Sequence, residues 1–185
     1  MLIHRLPDGL AFDGPDDMGR MEHHVFVMGE RWLKVTKGAG EHFGLCPQLY
    51  KDGWDMTRRD ATAQHYLQRL QDVNALFHDD HVLHAVYNDR QGNVRLVTSQ
   101  PHFMGEPAGT PFLRDAMEGA GFVQLDPPSA YYRPSDHTAV MDLHRENALR
   151  DGGDLDVLRV FDAIPTRPAG RLREVLEEQA RAKQG

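Results

Sequence analysis

Apolar residues in this chain fall into short runs broken by turn-forming clusters, with three longer stretches of helical period. Val25 to Met28 and Arg31 to Thr36 are β-prone runs flanking Gly29-Glu30 and read as a hairpin. His81 to Tyr87 and Asn93 to Thr98 read as a second hairpin across N-D-R-Q-G. Between them, about Thr57 to Phe77, Ala63, Leu67, Leu70, Asn74 and Phe77 recur at intervals of three and four, with Tyr66 and Val73 beside them. That period predicts an amphipathic helix, preceded over 37–56 by a Gly-, Pro- and aromatic-containing connection. A helix is expected near Pro111 to Glu118, closed by Gly119, and another from Gly170 to Ala182 with Leu172, Val175 and Leu176 on one side. Residues 1–18 are turn-rich and give no element.

The chemistry gathers between Thr138 and Pro165. A short apolar strand, Ala139 to Met141, runs into a polar loop; after Gly152-Gly153 a second apolar run ends at Phe161-Asp162. Asp142 and Asn147 lie on the loop that begins where the first strand ends, and a hairpin would fold Asp162 back beside it. All three offer hard oxygen atoms, the ligands that Mg²⁺ prefers when it bridges phosphate oxygens. A surface loop rich in Asp and Asn is the plain alternative.

Composition narrows the function. Hydrophobic content of 40% and charged content of 26% over 185 residues suit one ordinary globular domain. A net charge of −7 argues against a nucleic-acid partner, whose binding surfaces are basic. No apolar run approaches the roughly 20 residues a membrane span needs, and no signal-peptide pattern opens the chain, so no membrane partner is expected. The single cysteine, Cys46, excludes an internal disulfide and suits a reducing cytoplasm. Eleven histidines invite a zinc reading, but they are scattered, and the adjacent His23 and His24 would face opposite sides of a strand.

Several segments together resemble a known family, the Ser/Thr/Tyr-kinase-like domain of phage and mobile-element polyvalent proteins. They are E-H-H-V-F with W-L-K-V-T, H-Y-L-Q-R-L-Q-D-V-N-A-L-F, R-L-V-T-S-Q-P, Y-Y-R-P-S-D, and D-L-H-R-E-N-A-L-R with V-F-D-A-I-P, spanning about Gly19 to Pro165. The resemblance implies an α+β, two-lobed protein-kinase-like fold in a single domain. Its N-terminal lobe, about 1–100, would hold a small antiparallel sheet, and its reduced C-terminal lobe, 101–185, would be mainly helical. It implies ATP- and Mg²⁺- (or Mn²⁺-) dependent phosphotransfer to an unknown protein or small-molecule acceptor. Carried over by residue, Gly19 would stand in the glycine loop and Lys34 would meet the phosphates. Gln100 would lie in the link that receives adenine, Asp142 would be the catalytic base, and Asn147 and Asp162 the metal ligands.

The chain departs from the family pattern in places. The His follows the Asp in M-D-L-H, D-F-G is replaced by Asp162-Ala163-Ile164, and the helix before the second hairpin carries no Glu, Asp60 being the nearest acid. These departures leave two alternatives: a pseudokinase that binds nucleotide or a partner without catalysis, and a metal-dependent hydrolase using Asp142, His144 and Asp162.

Overall fold

The computed structural model describes residues 22–37, 43–51, 53–57, 61–151 and 157–185. Gly19, Asp60 and Gly152-Gly153 lie outside them. Strands β1 (His23–Met28), β2 (Arg31–Thr36), β5 (Val82–Asn88) and β6 (Val94–Pro101) form an antiparallel sheet in the order β1-β2-β6-β5. Both expected hairpins are therefore present. Helix α1 (Ala63–Phe77) packs on this sheet through Tyr66 and Leu70 against Leu96. It starts later than the period suggested, because Thr57 ends a strand and Thr62 supplies the cap, its side chain accepting from the His65 amide. The segment read as a plain connection contains a further hairpin, β3 (Cys46–Tyr50) with β4 (Gly53–Thr57). Among the described residues these two strands pair only with each other, so Pro47 removes no interior ladder bond.

The expected two-lobed fold with a mainly helical second part is not what the chain forms. Among the described residues there are thirteen strands in four small antiparallel sheets and only three helices. Beyond residue 101 run seven strands, β7 to β13, against α2 (Thr110–Gly119) and α3 (Gly170–Gln184). The reason lies in the turn signals. Asp126-Pro127-Pro128 and Arg133-Pro134-Ser135 leave apolar runs too short for a helical turn to repeat, and these become β8 (Val123–Gln124), β9 (Tyr131–Arg133) and β10 (Thr138–Met141). With β13 (Ile164–Thr166) they make a sheet ordered β13-β10-β9-β8.

That sheet is covered on both faces, which explains its unbroken apolar character. Val140 and Tyr131 pack with Leu113 and Met117 of α2, while Ala139, Met141 and Tyr132 pack with Leu176 and Ala180 of α3. A third sheet, β12-β11-β7, pairs β11 (Ala148–Asp151) with β12 (Val157–Val160) and with β7 (Glu106–Pro107). Gly105 permits the last contact, since a Cβ there would come within 2.6 Å of the Arg150 carbonyl oxygen. Among the described residues no helix is long and apolar enough to cross a membrane.

Candidate functional site

Lys34 and Asp162 lie 127 and more residues from each other's neighbourhood in sequence, yet they meet. Lys34 donates from Nζ to the Phe161 carbonyl at 3.1 Å and stands 3.8 Å from Asp162 Oδ1. Position on the sheet explains the aim. Lys34 pairs with Thr98 on the central strands and alternates with Leu33 and Val35, which pack into the opposite face. Its ammonium is nearly buried, whereas the Asp162 carboxylate is 45% exposed and so open to a ligand.

Asp142 occupies the first position after β10, with φ +55°. A non-glycine residue in the left-handed region is uncommon, Asp and Asn being the better tolerated, and such strain collects at functional sites. The turn is pinned by the Leu143 amide donating to the Ser129 carbonyl at 2.9 Å. Asn147 Nδ2 donates to the Asp142 carbonyl at 2.7 Å, which fixes the amide orientation and leaves Oδ1 as its acceptor atom. His144 Nδ1 accepts from the Glu146 amide at 3.2 Å, and its Nε2 lies 3.2 Å from Asn147 Nδ2 and 3.4 Å from Asp142 Oδ1.

The two aspartates have opposite electrostatics. Burial raises the Asp142 carboxyl above the ordinary range against the pull of His144, with the Asp162 charge adding to the rise. Burial alone would raise Asp162 too, but the Lys34 ammonium, helped by Arg69, outweighs it and holds Asp162 below the usual range.

A cleft of about 510 Å³ opens over Asp162; Asp142 does not line it and adjoins it through Asn147. Lys34, Asn147 and Asp162 line it together with the rings of Trp32, His102, Phe103 and Phe161. Trp32 and His102 meet edge to face, with centroids 4.5 Å apart. Gln100 is buried in β6 opposite Trp32 and does not line the cleft; the residues that do are His102 and Phe103, just beyond it. The His102 amide donates to the Glu30 carbonyl, so that backbone group is already used. The P-H-F run after the strand was the available signal for these rings.

The chain matches no family model, no curated protein and no solved structure. The family resemblance therefore rests on the quoted motifs alone, and function rests on the site.

Behind Asp162 sits a charge cluster that the sequence did not announce. Arg69 of α1 donates from Nη2 to Glu22 Oε2 at 2.9 Å and lies over the Tyr66 ring, 5.0 Å from its centroid. Where an acid facing Lys34 was sought, α1 presents a cation. Glu22 packs against Gly44, where a Cβ would meet the carboxylate at 2.8 Å. His23 Nε2 bonds the Tyr66 hydroxyl at 2.9 Å, and burial pushes the imidazole well below its ordinary range. Glu22, His23 and Asp162 each bring one ligand atom within 4.8 Å of the others. The void that His23 and Asp162 share with Lys34 and Arg69 is only about 10 Å³, water-sized, and two fixed cations border it. A metal in that void would meet repulsion from both.

Proposed function

We propose that the protein is an ATP- and Mg²⁺-dependent phosphotransferase acting on a hydroxyl acceptor. The observation that carries the reading is the convergence of Lys34, Asp162 and Asn147 on one aromatic-walled cleft, beside an Asp142 whose carboxyl is raised. Fold plays no part in it, because chemistry is argued from the site. The donor set suits the ion: Asp162 contributes a carboxylate kept ionised by Lys34, and Asn147 contributes the amide oxygen left over once Nδ2 is committed. Bound Mg²⁺ would neutralise charge on the phosphate oxygens. The rings of Trp32, His102 and Phe103 offer stacking faces for a base. Lys34 offers an ammonium to phosphate oxygens once a nucleotide competes for it with Asp162. Asp142 orients the acceptor hydroxyl and takes its proton, and a raised pKa improves it as a base. The lone cysteine supports a cytoplasmic setting.

One observation favours a second reading, a pseudokinase that binds nucleotide without transfer. No carboxylate from α1 holds Lys34; its partners are the Phe161 carbonyl and Asp162 itself. Two measurements on the purified chain separate the readings. Mg·ATP at about 100 times its Kd should stabilise the fold by about 2.7 kcal/mol. ATP turnover above background then identifies the enzyme, and stabilisation without turnover identifies the pseudokinase. A melting curve indifferent to millimolar Mg·ATP sinks both.

A further inference from the structure

The loop between α1 and β5 carries a buried Asp-His pair that the proposed chemistry does not use. The Asp79 and His81 side chains are 2% and 4% exposed. Asn74 of α1 pins His81 by its backbone, Nδ2 donating to the His81 carbonyl at 3.0 Å and Oδ1 accepting from its amide at 2.8 Å. His81 Nε2 stands 2.8 Å from Asp79 Oδ2, close enough for an ion pair but off the line of a hydrogen bond. Nδ1, the other ring nitrogen, is buried with no hydrogen-bond partner among the described residues. A buried polar group left so is costly, and folded proteins satisfy most of them, in part with ordered water.

His81 borders the void behind Asp162, together with Lys34, Arg69, His23 and Tyr66. At about 10 Å³ the void has room for one water and nothing larger. Its charges are already matched, Lys34 by Asp162 and Arg69 by Glu22, so it calls for neither a cation nor an anion. A neutral molecule that both donates and accepts suits it. Such a water needs two to four polar partners, and the walls supply them: the His81 ring, the Asp162 carboxylate, and the Lys34 ammonium with N–H bonds beyond the one given to Phe161.

We propose that one buried water occupies this void and ties His81 to the Asp162 carboxylate, which makes His81 a positioning residue for the cleft. Asp79 steadies the ring, the ring holds the water, and the water fixes the inner side of the carboxylate while its other edge stays open to a ligand. The water and its hold on Asp162 do not depend on what the cleft binds. The consequence for Mg²⁺ rests on the phosphotransferase reading.

A high-resolution crystal structure of the whole chain tests the water, and carboxyl ¹³C resonances test the positioning. The wild type should show a single water bonded to His81 Nδ1 and the Asp162 carboxylate. His81→Leu should lose it and move the Asp162 carboxyl resonance at neutral pH. His81→Asn, whose amide comes near the place of Nδ1, should restore both, a rescue that packing alone would not give. With ATP present, the Mg²⁺ needed for half-maximal stabilisation should rise about 10-fold in His81→Leu, as when a group behind a metal ligand is removed, and recover in His81→Asn. If His81→Leu does not fold, the wild-type structure and His81→Asn carry the test. No water in the wild-type void, a water that persists in His81→Leu, or an Asp162 resonance unmoved when the water is lost would each overturn the proposal. A wild type that shows the water but ignores Mg·ATP would uphold the hold on Asp162 and sink the phosphotransferase reading instead.

Discussion

Asp142 and Asp162 belong to two segments built in opposite ways, Asp162 lining the large cleft and Asp142 standing next to it behind Asn147. Asp162 leaves β12 into a corner crowded with positive charge, where Lys34 and Arg69 hold its carboxylate ionised. Asp142 leaves β10 in a left-handed conformation, half-buried, with an imidazole and an amide beside it and, among the described residues, no Lys or Arg paired with it. Folding favours the charge on one aspartate and opposes it on the other. Neighbouring carboxylates whose environments push their pKa values apart are how one site gains both a fixed charge and a proton acceptor. The contrast supports the proposed roles, cation binding on the Asp162 side and proton transfer on the Asp142 side.

The largest expected effect comes from removing the proton acceptor. Asp142→Asn keeps the shape and suits the left-handed backbone, so nucleotide binding should survive. Phosphate transfer should fall by about 10²–10⁴-fold, the usual worth of a positioned general base. Turnover undiminished in this variant would break the comparison on its Asp142 side.

Next is the support behind Asp162. Arg69→Met preserves much of the side-chain volume but strands the Glu22 carboxylate, and breaking such a buried pair costs about 3–5 kcal/mol. Urea unfolding reads it directly. The double variant Glu22→Gln, Arg69→Met should recover most of the loss, because the cost comes from the unpaired charge. If the single variant unfolds with the wild type, the corner is not organised by this pair.

Asp162→Asn comes third. Removing the charge from the metal side should abolish the Mg²⁺-dependent part of the ATP stabilisation, at most about 2.7 kcal/mol at 100 times Kd. Stabilisation by ATP with Mg²⁺ that is intact in Asp162→Asn would move the metal elsewhere in the cleft.

How much of this could be read from the chain depends on distance along it. The hairpins at Gly29-Glu30 and N-D-R-Q-G were legible because their signals are local, as was the strand-loop-strand frame carrying Asp142, Asn147 and Asp162. Lys34 was legible as a strand residue. That it reaches Asp162 is settled by packing across 127 residues or more, which spacing alone does not encode. The mainly helical second part was wrong because it came from the resemblance, while the residues themselves, with prolines at 127, 128 and 134, wrote short strands. Glu22 and Arg69 stayed hidden for the same reason as the Lys34 contact. A search confined to acids on α1 had no way to find a cation paired with a carboxylate 47 residues earlier.

The smallest effect is also the cleanest test of sign. The Asp162 carboxyl is depressed by folding, so its ionised form contributes stability above the unfolded value near pH 4, lost as pH falls through the lower folded value. The Asp142 carboxyl is raised, so its contribution runs the other way: it favours the fold fully below the unfolded value and fades as pH climbs through the folded one. At neutral pH the Asp142 charge is therefore a cost to the fold. Asp142→Asn should be more stable than the wild type at pH 7, the excess shrinking as the solution is acidified through the carboxylate range. Asp162→Asn should be less stable at pH 7, with its deficit shrinking over a lower range. Urea midpoints of the three proteins measured from pH 7 to pH 3 would show two difference curves of opposite sign. Curves of the same sign would mean that both aspartates serve the fold alike, and the division of labour between them would fall.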